Sequence, residues 1–220
     1  MTAAAAVFDL DGTITRGDTY VAYLLHVLRH RPHRLLRCGG LPLVALRFGV
    51  GLASNDEVKQ RFLQAVAGGA SLCQLERLTE SFVDPCLRRM AKRAAIDRIA
   101  IHARQGDMLI LATAGLDLYA AALGARLGFH HVVATRTALD AHRLLAGLDG
   151  PNLRGTAKLA AVKKILAAAG VERLPLVAYS DHHSDLPLLQ YADEGYAIDP
   201  TPQLAREAAR LGIPVERWMD

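Results

Sequence analysis

Two aspartates separated by one residue, with a glycine behind them, are the first residues in this chain whose types and spacing suggest chemistry. They lie in Phe8-Asp-Leu-Asp-Gly-Thr-Ile-Thr15, after the apolar run Ala3-Ala-Ala-Ala-Val-Phe8. A short apolar run closed by Asp9 and Gly12 predicts a buried strand over residues 3–9. Side chains alternate along a strand, so Asp9 and Asp11 fall on one side while the chain stays extended. One carboxylate can attack phosphorus, a known route to an aspartyl-phosphate. The other can protonate a leaving group. Gly12 leaves room for a tight turn.

Three later segments supply what such a pair needs: Leu111-Ala-Thr-Ala-Gly115, Gly155-Thr-Ala-Lys158, and Tyr179-Ser-Asp-His-His-Ser-Asp-Leu-Pro-Leu-Leu189. Phosphoryl transfer depends on positioning and cations more than on covalent machinery. Thr113 ends an apolar run and can donate its hydroxyl hydrogen. The amides of Ala114 and Gly115 are expected free at the start of the next helix. Lys158 is a point charge. Asp181 can join Asp9 on Mg²⁺, a hard cation that prefers oxygen ligands. Asp185 is open to two roles, metal binding through water or orientation of Lys158. His182 follows Asp181 and can line the same site.

The elements that must position these residues follow from pattern. Strands are predicted at 108–113, 131–135, 176–180 and 195–199, and helices at 116–127, 156–169, 186–191 and 202–211. Strands alternating with helices imply a parallel sheet covered on both faces. Residues 18–105 look almost wholly helical. Val58, Phe62, Leu63 and Val66 recur at helical spacing, and Ser54 with Asp56 and Glu57 marks a helix start.

The four segments resemble the motifs of the haloacid dehalogenase superfamily, in the same order. Asp9–Thr13 matches D-x-D-G-T, Thr113 the Ser/Thr motif, Lys158 the lysine motif, and Asp181 with Asp185 the acidic pair. The helical insertion resembles the small cap of the phosphoserine phosphatase branch. The resemblance implies an α/β fold, with a Rossmann-like doubly wound parallel core (1–17 and 106–220) and a helical cap (18–105) inserted after the first strand. It implies a Mg²⁺-dependent phosphatase acting on a small phosphorylated metabolite. Asp9 would be nucleophile, Asp11 general acid/base, and Asp9, Asp11, Asp181 and Asp185 the metal residues. By register, Asp18 and Lys59 stand where that branch holds its substrate's charged head group. The expected substrate is therefore a small polar phosphomonoester bearing an amine. One alternative is a phosphotransferase, which shares the first half-reaction; the other is a binding protein that uses the basic cap segment.

The rest of the composition narrows the field. The chain has 220 residues and a formal charge of +4, and half of it is apolar. Cys38, Cys73 and Cys86 have no paired spacing, which fits a reducing, cytoplasmic setting. No signal peptide is readable, and the longest apolar stretch, 39–53, is too short to span a bilayer. Residues 19–55 hold Arg29, Arg31, Arg34, Arg37 and Arg47 and no acid. This favours a cap surface or a homodimer contact over a membrane-surface site. Aromatics at 5% argue against nucleic acid. His26, His30 and His33 lack an acidic partner, and Pro32 interrupts their helix, so a packed or solvated face is favoured over a metal site.

Overall fold

The computed structural model describes residues 4–140 and 143–219. The predicted first strand is observed as β1 (Ala5–Phe8), and Ala3 lies outside the described residues. A helical insertion follows: α1 (Thr19–His30), α2 (Leu41–Gly49), α3 (Asn55–Ala67), α4 (Leu72–Met90) and α5 (Arg93–Gln105). Then come β2 (Met108–Leu116), α6 (Asp117–Arg126), β3 (His131–Thr135), β4 (Thr137–Asp140), β5 (Arg143–Leu148) and α7 (Thr156–Ala168). The chain closes with β6 (Leu176–Ser180), α8 (Leu186–Tyr191), β7 (Glu194–Ile198), α9 (Pro202–Leu211) and β8 (Val215–Glu216).

The sheet has six parallel strands in the order β3-β2-β1-β6-β7-β8. The chain runs outward from β1 to β3, then crosses back to β6 and runs outward the other way. β1 therefore lies at the switch point, where open parallel sheets bind ligands at the carboxyl ends of their strands. Alternation along β1 divides the core. Ala6 and Phe8 face one cluster with Leu111, Tyr119 and Tyr179, whereas Ala5 and Val7 face Val162, Leu166, Leu188 and Leu204 on the other side. Both faces are covered, which is why the strands read as continuous apolar runs rather than alternating ones.

Local signals set the helix ends. Asp18 caps α1 by accepting from the Val21 amide, Ser54 caps α3, and Ser71 with Gln74 forms a capping box on α4. Pro32 stops α1 and opens a short 3-10 turn, Pro32–Arg37.

The structure departs from the sequence reading in four places. β2 runs on to Leu116 instead of stopping at Thr113, with a register break between Ala112 and Leu116. The antiparallel ribbon β4–β5 was not anticipated, and it packs on α3. The two-residue strand β8 was also unanticipated. Finally, α5 packs on β2 and is tied to the sheet. Arg98 makes a two-pronged pair with Glu216, and His102 bridges Asp107 and Tyr179.

One buried contact ties the D-x-D-G-T turn to the segment after β7, two strands along the same edge. Lys92 is 1% exposed, and its ammonium donates to the Gly12 carbonyl and to Asp199. Asp199 also accepts from the Trp218 amide. Removing one partner of a buried pair strands the other charge, a loss of about 3–5 kcal/mol. Lys92→Met is therefore expected to lower unfolding stability by about that amount in urea titration, with Asp199→Asn restoring part of the loss in the double variant.

Candidate active site

Three neighbouring strands deliver the chemistry to one edge. Asp9 follows β1, Thr113 stands at the register break of β2, and Asp181 follows β6. Helix α7 starts at Thr156 after Gly155, a glycine at φ +58°. This start brings Lys158, in the first turn, under β1. A cation in a first helical turn opposes the helix dipole. Here two carboxylates outweigh that: Lys158 Nζ lies 2.7 Å from Asp9 Oδ1 and 2.5 Å from Asp185 Oδ2. Ser180 Oγ donates to the same Asp185 oxygen at 2.8 Å. Of the two roles open to Asp185, orientation of Lys158 is the one its contacts display.

Burial sets the electrostatics. It pushes the Asp9 carboxyl up to about 6 against the pull of Lys158. It pushes Asp11 up to about 7, with Asp18 adding to the rise, and Asp181 up to about 7, with Asp9 adding to it. Burial also pulls Lys158 down, but Asp185 and Asp9 outweigh it and hold the ammonium above its ordinary range. Asp11 is oriented by the Thr19 amide, which donates to Oδ1 at 2.7 Å.

Asp9, Asp11, Asp18, Lys59, Thr113, Ala114, Gly115, Lys158, Asp181 and Asp185 all line a single cavity of about 730 Å³. His182 lines it too. Several are engaged otherwise than expected. The Gly115 amide is not free, because it donates to Thr113 Oγ1 at 2.8 Å. The extension of β2 to Leu116 moves the helix start beyond it. The Thr113 hydroxyl hydrogen stays available, since its oxygen is the acceptor in that bond. Asp18 Oδ1 caps α1. Lys59 Nζ donates to Ala114 O at 2.6 Å and to Asn152 Oδ1 at 3.0 Å, and burial pulls its pKa down to about 8. Lys59 is thus held by protein partners, whereas Asp18 is exposed and spends only one carboxylate oxygen on the cap.

Two contributors carry no signal in the sequence. Asn152 joins Lys59, Thr135, Asn55 and Asp56. Arg154 lines the cavity beside His182. Of the three histidines read as a possible metal group, His26 bonds Ser81 of α4 and His30 bonds the His26 carbonyl.

The donor set suits Mg²⁺. Asp9, Asp11 and Asp181 are hard oxygen donors facing one cavity, and burial together with mutual repulsion disfavours their charge. Lys158 bonds Asp9 and Asp185 and offsets only part of the rise at Asp181. Among the described residues, no three His, Cys, Asp or Glu side chains converge into a closed metal site. The four carboxylates expected as a metal set are thus not gathered as one. Mg²⁺ does not require it, since it commonly takes one or two carboxylates and completes its shell with water and substrate phosphate. Gly12 makes the room: a Cβ there would sit 2.2 Å from Asp181 Oδ2.

Comparison with known proteins accords with this site. The family model of haloacid dehalogenase-like hydrolases matches residues 6–190. The chain belongs to that family. Phosphoserine phosphatase SerB1 of Mycobacterium tuberculosis is 26% identical over 231 residues, spanning 96% of this chain and 75% of that protein. Protein CicA of Caulobacter vibrioides is 28% identical over 194 residues, spanning 87% and 84%. Among solved structures, a protein of unknown function from Bordetella pertussis Tohama I superposes with TM-score 0.81 at 24% identity, covering 100% of this chain and 99% of that one. A substrate-bound phosphoserine phosphatase superposes with TM-score 0.68 at 16% identity, covering 100% and 95%. The fold is shared with phosphoserine phosphatases, and the family places the chain among hydrolases. No helix among the described residues is long and apolar enough to cross a membrane.

Gly12 combines φ +81° with the close approach of Asp181. Gly12→Ala must strain the turn and displace the carboxylate. A misplacement of about 1 Å in an active site can reduce turnover roughly 100-fold. Steady-state kinetics on an aryl phosphate should show a loss of that order.

Proposed function

We propose that the protein is a Mg²⁺-dependent phosphomonoesterase that carries the phosphoryl group transiently on Asp9. The observation that supports this best is the Asp9–Lys158–Asp185 bridge. It aims one carboxylate of the D-x-D-G-T turn into the cavity beside a fixed cation. The free Asp9 oxygen attacks phosphorus, and the bond from phosphorus to the leaving oxygen breaks. Asp11, two residues on and oriented by Thr19, gives that oxygen its proton. Asp11 then takes a proton from water, whose oxygen attacks phosphorus and releases inorganic phosphate and Asp9. The Lys158 ammonium and the Thr113 hydroxyl hold the equatorial oxygens, where charge concentrates. Asp9 and Asp181 would hold Mg²⁺, which when bound neutralises charge on the same oxygens. Helices α1, α2 and α3 cover the site and limit water during the first half-reaction. The substrate is a small phosphorylated molecule, and the working compartment is the cytoplasm.

Asp9→Asn keeps the side chain's shape but cannot attack, so aryl phosphate hydrolysis should vanish while the fold persists. Asp11→Asn should cost about 100- to 10,000-fold, the usual range for a lost general acid. Chelation should stop phosphate release and added Mg²⁺ should restore it. Full turnover by the Asp9 variant, or full turnover in excess chelator, would refute the mechanism.

A further inference from the structure

The cavity does not end at the carboxylates. Helices α1 and α3 lie side by side in the same direction: Tyr20 Oη donates to Lys59 O near their starts, and Arg31 Nη1 donates to Ala67 O near their ends. Their first turns meet the catalytic edge, through the bond from Thr19 to Asp11 and through Lys59 on Ala114. Along α1 the cavity wall is Tyr20, Leu24, Leu25 and Leu28, and along α3 it is Val58 and Phe62. On α1 this stretch runs from Tyr20 to Leu28, about 12 Å of helix. Polar groups therefore crowd the end of the cavity nearest Asp9, and the arm leading away from it has apolar walls.

A phosphorylated amino acid or amino alcohol would leave this arm unfilled. At about 730 Å³ the whole cavity is in the range of sites built for drug-sized ligands, roughly 300–1,000 Å³. Of the two charges near the head of the cavity, Lys59 is held by Ala114 and Asn152, and Asp18 spends one carboxylate oxygen on the α1 cap. The arm is open at the side, where Leu25 is 51% exposed. Helix α2 adds Leu41 to the wall and has no buried residue. No acid occurs between residues 19 and 55, so nothing in this segment repels an anionic head group.

We propose that the leaving group is an alcohol bearing a hydrocarbon chain, so that the substrate is an amphiphilic phosphomonoester. Its phosphate sits at Asp9 and Lys158, and its chain lies between α1 and α3. This rests on the phosphomonoesterase reading and names the class of its substrate.

The test is kcat/KM over ethyl, butyl, hexyl and octyl phosphate, all kept monomeric, beside an aryl phosphate. Each buried methylene is expected to raise kcat/KM by up to about fourfold, the factor set by apolar transfer. Leu25→Glu places a charge in the arm from a half-exposed helix position. It should lower the octyl-to-ethyl ratio by about tenfold or more. A flat series with good aryl phosphate turnover overturns the chain-binding arm and leaves the Asp9 chemistry standing. A rising series that Leu25→Glu does not flatten also overturns it, since the preference would then arise elsewhere. Failure to hydrolyse any of these phosphates, the aryl ester included, overturns the phosphomonoesterase reading and this inference together.

Discussion

A lysine with almost no solvent access, held between two carboxylates, is the constraint on which the rest of the molecule depends. Lys158 is 2% exposed, and Asp9 and Asp185 are nearly as buried. Removing three charges from water is costly, and the attraction between them offsets that cost only when the geometry is close. The fold supplies this closeness from three directions: the end of β1, the first turn of α7, and the segment after β6. Ser180 adds a second donor to the Asp185 oxygen that Lys158 contacts. Asp9 is left with one oxygen tied to a cation and the other directed at the cavity, the arrangement a carboxylate nucleophile needs.

The sheet order follows from the same requirement. β1 is flanked by β2 and β6, so Thr113 and Asp181 rise on either side of Asp9. The break in the β2–β3 ladder lets the backbone at 113–115 leave the sheet. Thr113 can then accept from Gly115 while its own hydrogen points elsewhere. Lys92, just before α5, anchors the D-x-D-G-T turn through the Gly12 carbonyl. Above the edge, α1 and α3 add a wall that is polar near the carboxylates and apolar beyond them.

Much of this was legible in the sequence where the signal is local. β3, β6, α8 and α9 fall at the expected residues because apolar runs, Pro187, Pro202 and Gly212 mark them. The motif residues share one cavity because strand ends in a parallel sheet share one edge. What escaped depends on contacts distant in sequence. Lys92 meets Asp199 across 107 residues, and Lys59 meets Asn152 across 93. No local pattern shows that these charges have partners so distant in sequence. The ribbon β4–β5 is short and mixes Thr137, Asp140 and Arg143 with its apolar residues, so it lacks a clean period. The helical periodicity of α5 is real, but periodicity does not say which layer a helix joins.

The most direct measurement is the site of covalent phosphorylation. The enzyme is mixed with excess aryl phosphate and Mg²⁺, quenched in acid within a turnover, reduced with borohydride, digested, and its peptides are read by mass spectrometry. Reduction of an aspartyl-phosphate leaves homoserine, so the account predicts homoserine at position 9 and unmodified aspartate at positions 11, 181 and 185. Modification at one of those other aspartates, or phosphate release with position 9 never modified at any quench time, would contradict it.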